Sequence, residues 1–575
     1  MIWSLHRGRG GYMKNVYRMP VRLAMLAALL AAQSLAHALA DTAVTASPTA
    51  SSTSDTSAAH AGQSPSGSSW PQNCAALMQL LRSDRVTITS SQPIEAGPLK
   101  PPPGMPPAPP LQLPAHCLLR GALEHRTGAQ GRAYEIGFEM RLPMEWNGRL
   151  LFQGGGGLDG TVNPAVGMVG RSSPPALVRG FAVVSTDSGH QGLDASFGFD
   201  QQARLDFAYA SIGKVADEAR HAIDAFYGQP ARYSYFAGCS NGGREGMMAA
   251  ERFPDLFDGV IAGDPGFHLS AAALGEMWDT QQFERIAPRD AQGRPILSQA
   301  LTAGDLQLLS RAVLRQCDAL DGLADGMVNN IAACHFDPSV LKCRAGHSQE
   351  CLKASKVSAL QAVFAGAHDA AGRALSPSWP YDAGIGEAGW RAWKLGTSES
   401  GKPNAINATL GLNAVQDYFL TPPRPGLRVS EFNFNRDAPQ LAQTAAINDA
   451  TSTFLTSFAA RGGRLLIYQG LSDPVFSAND IIGWYRSLLQ QDGAAARWAR
   501  LFLIPGMNHC IGGPATDQFD ALTAIQAWTE HNQTPDRLLA SSGQLTGITR
   551  PLCPWPRYAH YRGGDPHAAA SFECR

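Results

Sequence analysis

Hydrophobic residues in this chain come in short runs bounded by glycine, proline or charge, and helical periodicities follow several of them. The segments at 150–153 (LLFQ), 232–237 (RYSYFA), 259–263 (GVIAG), 464–469 (RLLIYQ) and 500–504 (RLFLI) are too short for helices and rich in strand-forming side chains. Residues 244–253 (REGMMAAERF) read as a helix stopped by Pro254, and 517–530, with Trp528, read as a late helix. Strands alternating with helices predict an α/β fold around a largely parallel sheet. Two stretches, 71–265 and 455–575, carry this pattern. Between them, 266–454 interrupts it and holds four cysteines together with Trp379, Tyr381, Trp390 and Trp393. No internal repeat is visible.

The first 70 residues follow neither pattern. Arg7, Arg9, Lys14, Arg18 and Arg22 precede an apolar run at 23–36, and Ala38-Leu39-Ala40 supplies the small residues of a cleavage site. Residues 1–40 therefore read as an export signal; the run is short for a retained anchor. Its long basic lead fits a start at Met13 or Met19. Residues 41–70, mostly Ala, Thr, Ser, Gly and Asp, bury too little to offset the entropy of ordering and read as a disordered linker.

Charge narrows the classes of function. The 575 residues carry 47 Lys+Arg against 48 Asp+Glu, a formal net charge of −1. A nucleic-acid partner would call for a basic surplus. No apolar run after the N-terminus is long enough to span a membrane.

The sharpest chemical signal is Gly238-Cys239-Ser240-Asn241-Gly242, set between the 232–237 strand and the 244–253 helix. Strand, G-x-S-x-G, helix is the setting in which this motif places a serine on a tight turn. Glycines at 238 and 242 remove side chains that would clash there. Ser240 is thus the candidate nucleophile, and a serine needs a base oriented by an acid. Asp473 follows the 464–469 strand and His509 follows the 500–504 strand, which is the Ser, acid, His order of α/β-hydrolases. Asp480 and Asp517 follow no strand; Asp264, after GVIAG, is the stronger rival acid. The expected architecture is an α/β-hydrolase core with a large lid domain, 266–454, inserted between the nucleophile and acid strands. For the oxyanion, the 154–157 glycine run after the 150–153 strand offers a backbone donor, Gly157, alongside the N–H of Asn241. A phosphate cradle is disfavoured, because no Lys-Ser/Thr and no GxGxxG accompanies the run.

Ten cysteines in an exported chain suggest five disulfides, although sequence alone does not fix their connectivity. Nearness favours Cys74–Cys117, Cys317–Cys334, Cys343–Cys351 and Cys553–Cys574. That leaves Cys239 for Cys510. One precedes the candidate nucleophile and the other follows the candidate base, so triad and pairing each predict the other.

Between Cys317 and Val328, Asp318, Asp321 and Asp325 alternate with Gly322 and Gly326. Closely spaced carboxylates on a tight loop suit Ca²⁺, with Leu323 and Met327 as carbonyl donors; a solvated acidic turn is the alternative. The spacing is not that of an EF-hand, and the expected ion is structural.

The run 238–246, the 318–327 loop, the Ser-Asp-His order and the ten cysteines together resemble the tannase/feruloyl esterase family from about residue 70 onward. The resemblance implies an exported, Ca²⁺-containing serine esterase acting on small esters of aromatic acids such as ferulate or gallate. The family also includes hydrolysis of mono(2-hydroxyethyl) terephthalate (MHET), where a lid arginine holds the free carboxylate. By spacing from Thr421-Pro422-Pro423, that arginine's place falls on Ile406 and an adjoining aromatic's on Leu410, and 401–423 contains no arginine. Lys394 and Lys402 are the candidate substitutes, but lysine lacks the bidentate fork. A phenolic-acid ester is the preferred substrate. MHET hydrolysis, a peptidase or amidase on the same triad, and a non-catalytic binding protein are the alternatives. The lid aromatics serve either as ring contacts or as lid core.

Overall fold

The computed structural model describes residues 69–99, 111–170, 172–345 and 349–575. The expected export signal, and the expected linker as far as residue 68, lie outside them. Helix α1 (Trp70–Leu80) precedes a nine-stranded sheet. Its strands are β1 (Val86–Ile94), β2 (His116–Thr127), β3 (Ala133–Pro143), β4 (Arg149–Gln153), β5 (Ala182–Thr186), β6 (Tyr233–Cys239), β7 (Gly259–Gly263), β8 (Arg464–Gly470) and β9 (Ala499–Ile504). Their spatial order is β1-β2-β3-β5-β4-β6-β7-β8-β9. The first three strands form an antiparallel meander that meets β5 antiparallel; from β5 to β9 every pairing is parallel.

Burial on both faces explains why the parallel strands read as nearly unbroken apolar runs. Leu150 and Phe152 of β4, Val260 and Ala262 of β7, and Leu465 and Ile467 of β8 point to one core. Leu151, Ile261 and Leu466, offset by one residue, point to the other. Helices α2 (Ser211–Tyr227) and α3 (Asn241–Arg252) cover the first face.

Among the described residues, the segment between β7 and β8 contributes no strand to the sheet. It carries α4 (Leu269–Ile286), α5 (Ala303–Cys317), α6 (Ala354–Ala365), α7 (Ala388–Lys394) and a helical stretch over 407–419. Leu306, Leu309, Val313, Leu360, Val363 and Trp390 give it a core of its own. After β8, α8 (Ala478–Gln491) joins the first face of the sheet, and α9 (Ala521–His531) closes the second with the fully buried Trp528. Removing so large a buried side chain costs about 3–5 kcal/mol. Two short antiparallel ribbons end the chain, and Cys553–Cys574 ties the end of the first to the second.

Candidate active site

Ser240 occupies the turn from β6 into α3 at φ 65°, ψ −125°, a conformation disfavoured for any residue with a Cβ. Its neighbours make room: a Cβ on Gly238 would lie 2.6 Å from the carbonyl of Gly242. The helix starts at Asn241, three residues before the apolar periodicity does. Gly242 and Gly243 open it, packed too closely on Gly154–Gly155 and Gly263–Pro265 for side chains.

His509 and Asp473 follow β9 and β8. His509 Nε2 lies 2.8 Å from Ser240 Oγ, and its Nδ1 lies 2.9 Å from Asp473 Oδ2. A carboxylate beside Nδ1 sets the tautomer that leaves Nε2 as the acceptor facing the hydroxyl. Asp473 is fully buried, and its other oxygen accepts from the N–H groups of Val475 and Phe476 at 2.7 and 3.2 Å. The rival acids stand elsewhere. Asp480 pairs with His268 at 3.2 Å, and Asp517 accepts from the Gly512 N–H. Asp264 sits behind Asp473, accepting from the Gly470 N–H at 2.7 Å and from Gln469 Nε2 at 3.0 Å. The same Gln469 amide reaches Asp473 at 3.1 Å. Burial, with the Asp473 charge beside it, holds the Asp264 carboxyl well above the usual range.

Cys239 and Cys510 are joined, with Cα atoms 6.1 Å apart, so one covalent bridge links the residue before Ser240 to the residue after His509. The other four disulfides are Cys74–Cys117, Cys317–Cys334, Cys343–Cys351 and Cys553–Cys574. These four are the pairs that chain proximity favours, and Cys239–Cys510, 271 residues apart, is the pair they leave over.

The glycine loop is tied down one amide at a time. The Gly154 N–H donates to Ala237 O at 2.9 Å, Gly155 to Glu245 Oε2 at 2.8 Å and Gly156 to Asp159 Oδ1 at 2.7 Å. Gly157, exposed at φ 62°, makes no such bond among the described residues. Asn241 provides the first backbone N–H of α3, which helix geometry leaves without an intrahelical acceptor, while its side-chain Nδ2 donates to Asp159 Oδ2 at 2.8 Å. Burial, reinforced by the charge of Glu245, pushes the Asp159 carboxyl up. Sequence reasoning missed Asp159, Glu245 and Gln469. Only Glu245 left a trace, as part of the run 238–246.

Two aromatic side chains flank the imidazole, Trp393 from the helical segment and Phe476 from the loop after β8. Trp393 and Phe476 meet the His509 ring edge-on, with centroids 5.2 and 5.3 Å away. Trp390 is core. Trp379 and Tyr381 pack against that core as well. Lys394 is buried in an ion pair with Asp279 and lies 3.8 Å from the Trp379 ring centroid, while Lys402 is exposed.

In the acidic loop, Asp318 accepts from the N–H groups of Asp325 and Gly326 at 3.0 and 3.1 Å. Asp321 accepts from the Leu323 N–H at 3.1 Å and the Asn329 amide at 2.6 Å; Asp325 accepts from the Met327 N–H and pairs with the buried Arg550. Burial raises the Asp321 carboxyl to about 6. The donor chemistry fits a hard cation: three carboxylates, with the carbonyls of Leu323 and Met327 to complete the set. The aspartates do not converge tightly by themselves. Among the described residues, the one group of three such donors within 4.8 Å is Cys239, Asp264 and Cys510, whose sulfurs form the disulfide.

Comparison with known proteins adds to this geometry. A family model described as tannase and feruloyl esterase matches residues 121–575. The chain is similar to a mono(2-hydroxyethyl) terephthalate hydrolase of Piscinibacter sakaiensis, 41% identical over 514 residues covering 80% of this chain and 85% of that one. It is also similar to a probable feruloyl esterase of Arthroderma benhamiae, 29% identical over 75% of this chain and 81% of the relative. In fold it matches the crystal structure of feruloyl esterase B from Aspergillus oryzae, with TM-score 0.74 and 24% identity over 88% of this chain and all of that one.

Proposed function

This chain belongs to the tannase and feruloyl esterase family and is a carboxylic ester hydrolase; from that premise we propose that it cleaves small esters of phenolic acids through an acyl-enzyme on Ser240. His509 takes the Ser240 proton as the hydroxyl attacks the ester carbonyl. Asp473 holds the imidazole and supports its positive charge. The N–H groups of Gly157 and Asn241 receive the oxyanion. The alcohol leaves with the proton held on His509, and water, activated by the same imidazole, releases the acid.

The observation that carries this reading is the unbroken Ser240–His509–Asp473 contact chain at 2.8 and 2.9 Å, clamped by the Cys239–Cys510 bridge. The test is labelling by an organophosphate followed by a panel of methyl ferulate, methyl gallate, chlorogenate and MHET. Modification at Ser240 with turnover of the phenolic esters supports it; label elsewhere, or turnover by Ser240→Ala near the unsubstituted rate, refutes it.

MHET is the second reading, prompted by the Piscinibacter relative. Against it, residues 406 and 410 are Ile and Leu, and Lys394 is committed to Asp279. A carboxylate left without a cation in such a site binds poorly. The helical segment acts as the lid over the acyl ring. Residues 318–327 hold a structural Ca²⁺ that the reaction does not use. Titration with Ca²⁺ after chelation tests this: a rise in melting temperature, lost in Asp321→Asn, is expected, and an unchanged melt overturns it. Five disulfides, and no described helix long and apolar enough to cross a membrane, support an exported protein in the periplasm or outside the cell.

A further inference from the structure

The two N–H groups assigned to the oxyanion come from distant parts of the chain: Gly157 follows β4, and Asn241 opens α3. A line of side-chain hydrogen bonds joins their two segments. It starts at Arg244, one turn into α3 and fully buried. Among the described residues its guanidinium makes no ion pair. Instead Nη1 donates to Ala208 O at 2.6 Å and to Asn448 O at 3.5 Å, and Nη2 donates to Phe207 O at 3.0 Å. Phe207 and Ala208 lie in a π-helical turn, Asp206–Ala210, just ahead of α2. Such single turns are frequent at functional sites. Arg244 Nε is left to donate to Asn241 Oδ1 at 2.6 Å. A donor on its oxygen fixes which way an amide faces, so Asn241 Nδ2 turns to Asp159 Oδ2 at 2.8 Å, with Glu245 Oε1 at 3.5 Å. The other Asp159 oxygen receives the N–H of Gly156, the residue before Gly157, and Glu245 Oε2 receives that of Gly155. Both carboxyls are buried. The proton that burial favours on Asp159 is directed at Glu245. A protonated carboxyl oxygen still accepts through its remaining lone pair, so the line holds whichever of the two carries it.

We propose that Arg244, the Asn241 side chain and Asp159 are positioning residues whose hydrogen-bond line holds the N–H groups of Gly157 and Asn241 in register, so that both converge on one oxyanion. The inference deepens the acyl-enzyme reading above and rests on it. A run of four glycines has no fixed shape of its own, because glycine loses more conformational freedom on ordering than any other residue. Here the run is pinned at 155 and 156, and it fits its anchor closely: a Cβ on Gly155 would lie 2.0 Å from Asp159 Oδ1. Arg244 supplies a donor that does not deprotonate, and it leaves the Asn241 amide one orientation. Donors fixed in advance are worth most where charge develops in the transition state.

The test exchanges the partners in this line. In Asp159→Asn the new amide must aim its NH₂ at either the Gly156 N–H or the Asn241 NH₂, so one donor faces another. In the double variant Asp159→Asn with Asn241→Asp, donor and acceptor are swapped and Arg244 keeps an oxygen to hold. On a chromogenic aromatic ester, Asp159→Asn should lower kcat by about 100-fold with KM little changed, the factor one oxyanion donor supplies. Inhibition by phenylboronic acid, which adds to Ser240 as a tetrahedral anion, should weaken by a similar factor. Inhibition by the planar acid released from the same ester should stay. The double variant should recover most of both losses. A kcat for Asp159→Asn within about twofold of the unsubstituted enzyme overturns the proposal. Equal weakening of both inhibitors overturns it too, as does a double variant no better than the single one. If Asp159→Asn does not fold, Asn241→Ala decides: it keeps the backbone N–H and deletes the link, so kcat should fall by about tenfold or more at little-changed KM, and an unaltered kcat overturns the proposal equally. An unsubstituted enzyme that neither turns over the ester nor is labelled at Ser240 would sink the acyl-enzyme reading itself. An active, labelled enzyme whose variants keep their kcat would sink only the positioning role.

Discussion

The two sides of the active site are built on opposite terms. On the sheet side, Ser240, His509 and Asp473 hydrogen-bond to one another, and Asp473 is further held by backbone N–H groups and Gln469. On the side of the helical segment, buried polar atoms stand unmet: both amide atoms of Asn407, Oδ1 of Asp279 and Nε1 of Trp379. Buried polar groups left without partners are costly. The Ser240–His509–Asp473 contacts are complete before any substrate arrives, with Gln469 Oε1 behind them left unmet, whereas the helical segment holds several hydrogen-bonding atoms that its own residues do not satisfy. Rigidity suits the groups that move protons. Under the lid reading proposed above, unmet capacity falls where a substrate is chosen.

Breaking the sheet side should give the largest effects. Ser240→Ala or His509→Ala should lower kcat by about 10⁴-fold or more, and Asp473→Asn by about 10⁴-fold, measured on a chromogenic aromatic ester. Opening the clamp comes next. Cys239→Ala with Cys510→Ala releases a closure 271 residues long, which the chain-entropy model values at roughly 5 kcal/mol. Denaturant unfolding should show a large share of that loss, and kcat should fall with KM little changed; equal stability and kcat would show that the bridge does not position the pair. Asp264 offers a finer cut. Burial beside the Asp473 charge favours its neutral form, so Asp264→Asn, which keeps an acceptor for the Gly470 N–H, should keep most activity while Asp264→Ala loses about tenfold or more, the cost of an unsatisfied buried donor near the triad.

The smallest expected effect sharpens the other half of the comparison. Glu276, buried on α4, shifts from an ordinary 4.5 to about 8 on folding. Between those values the folded chain binds more protons than the unfolded one, so this group makes stability fall as pH rises from 4.5 to 8. Lys394, Asp279 and Asp473 are the charges that act on it. Glu276→Gln should therefore raise the melting temperature at pH 8 and change it little at pH 4; equal shifts at both would contradict the burial of an ionisable acid there.

Sequence made the sheet side legible because its signals are local. A glycine-framed serine, acidic and imidazole residues just past apolar runs, and cysteines flanking two of the three can be read without knowing the fold. The expected helix began late, at residue 244, because apolar periodicity does not register a first turn made of Asn241, Gly242 and Gly243. The supporting shell was not legible. Asp159 and Glu245 act on the glycine loop from 86 positions apart in the chain, and Gln469 looks like the last residue of any strand. The helical wall was least legible. Nothing in the sequence tells that Gly411 leaves room for Glu276, because that vacancy arises only from packing one helix on another.

The span of the Cys239–Cys510 bridge has a consequence for how the enzyme is made. During synthesis the serine emerges 269 residues ahead of its histidine, so a growing polypeptide carries an unarmed hydroxyl for almost half its length. Oxidation of the two thiols is the event that locks the pair in place, and it can follow only when the far end of the chain has arrived. The cell that produces this hydrolase is thereby spared a working copy until manufacture is nearly finished.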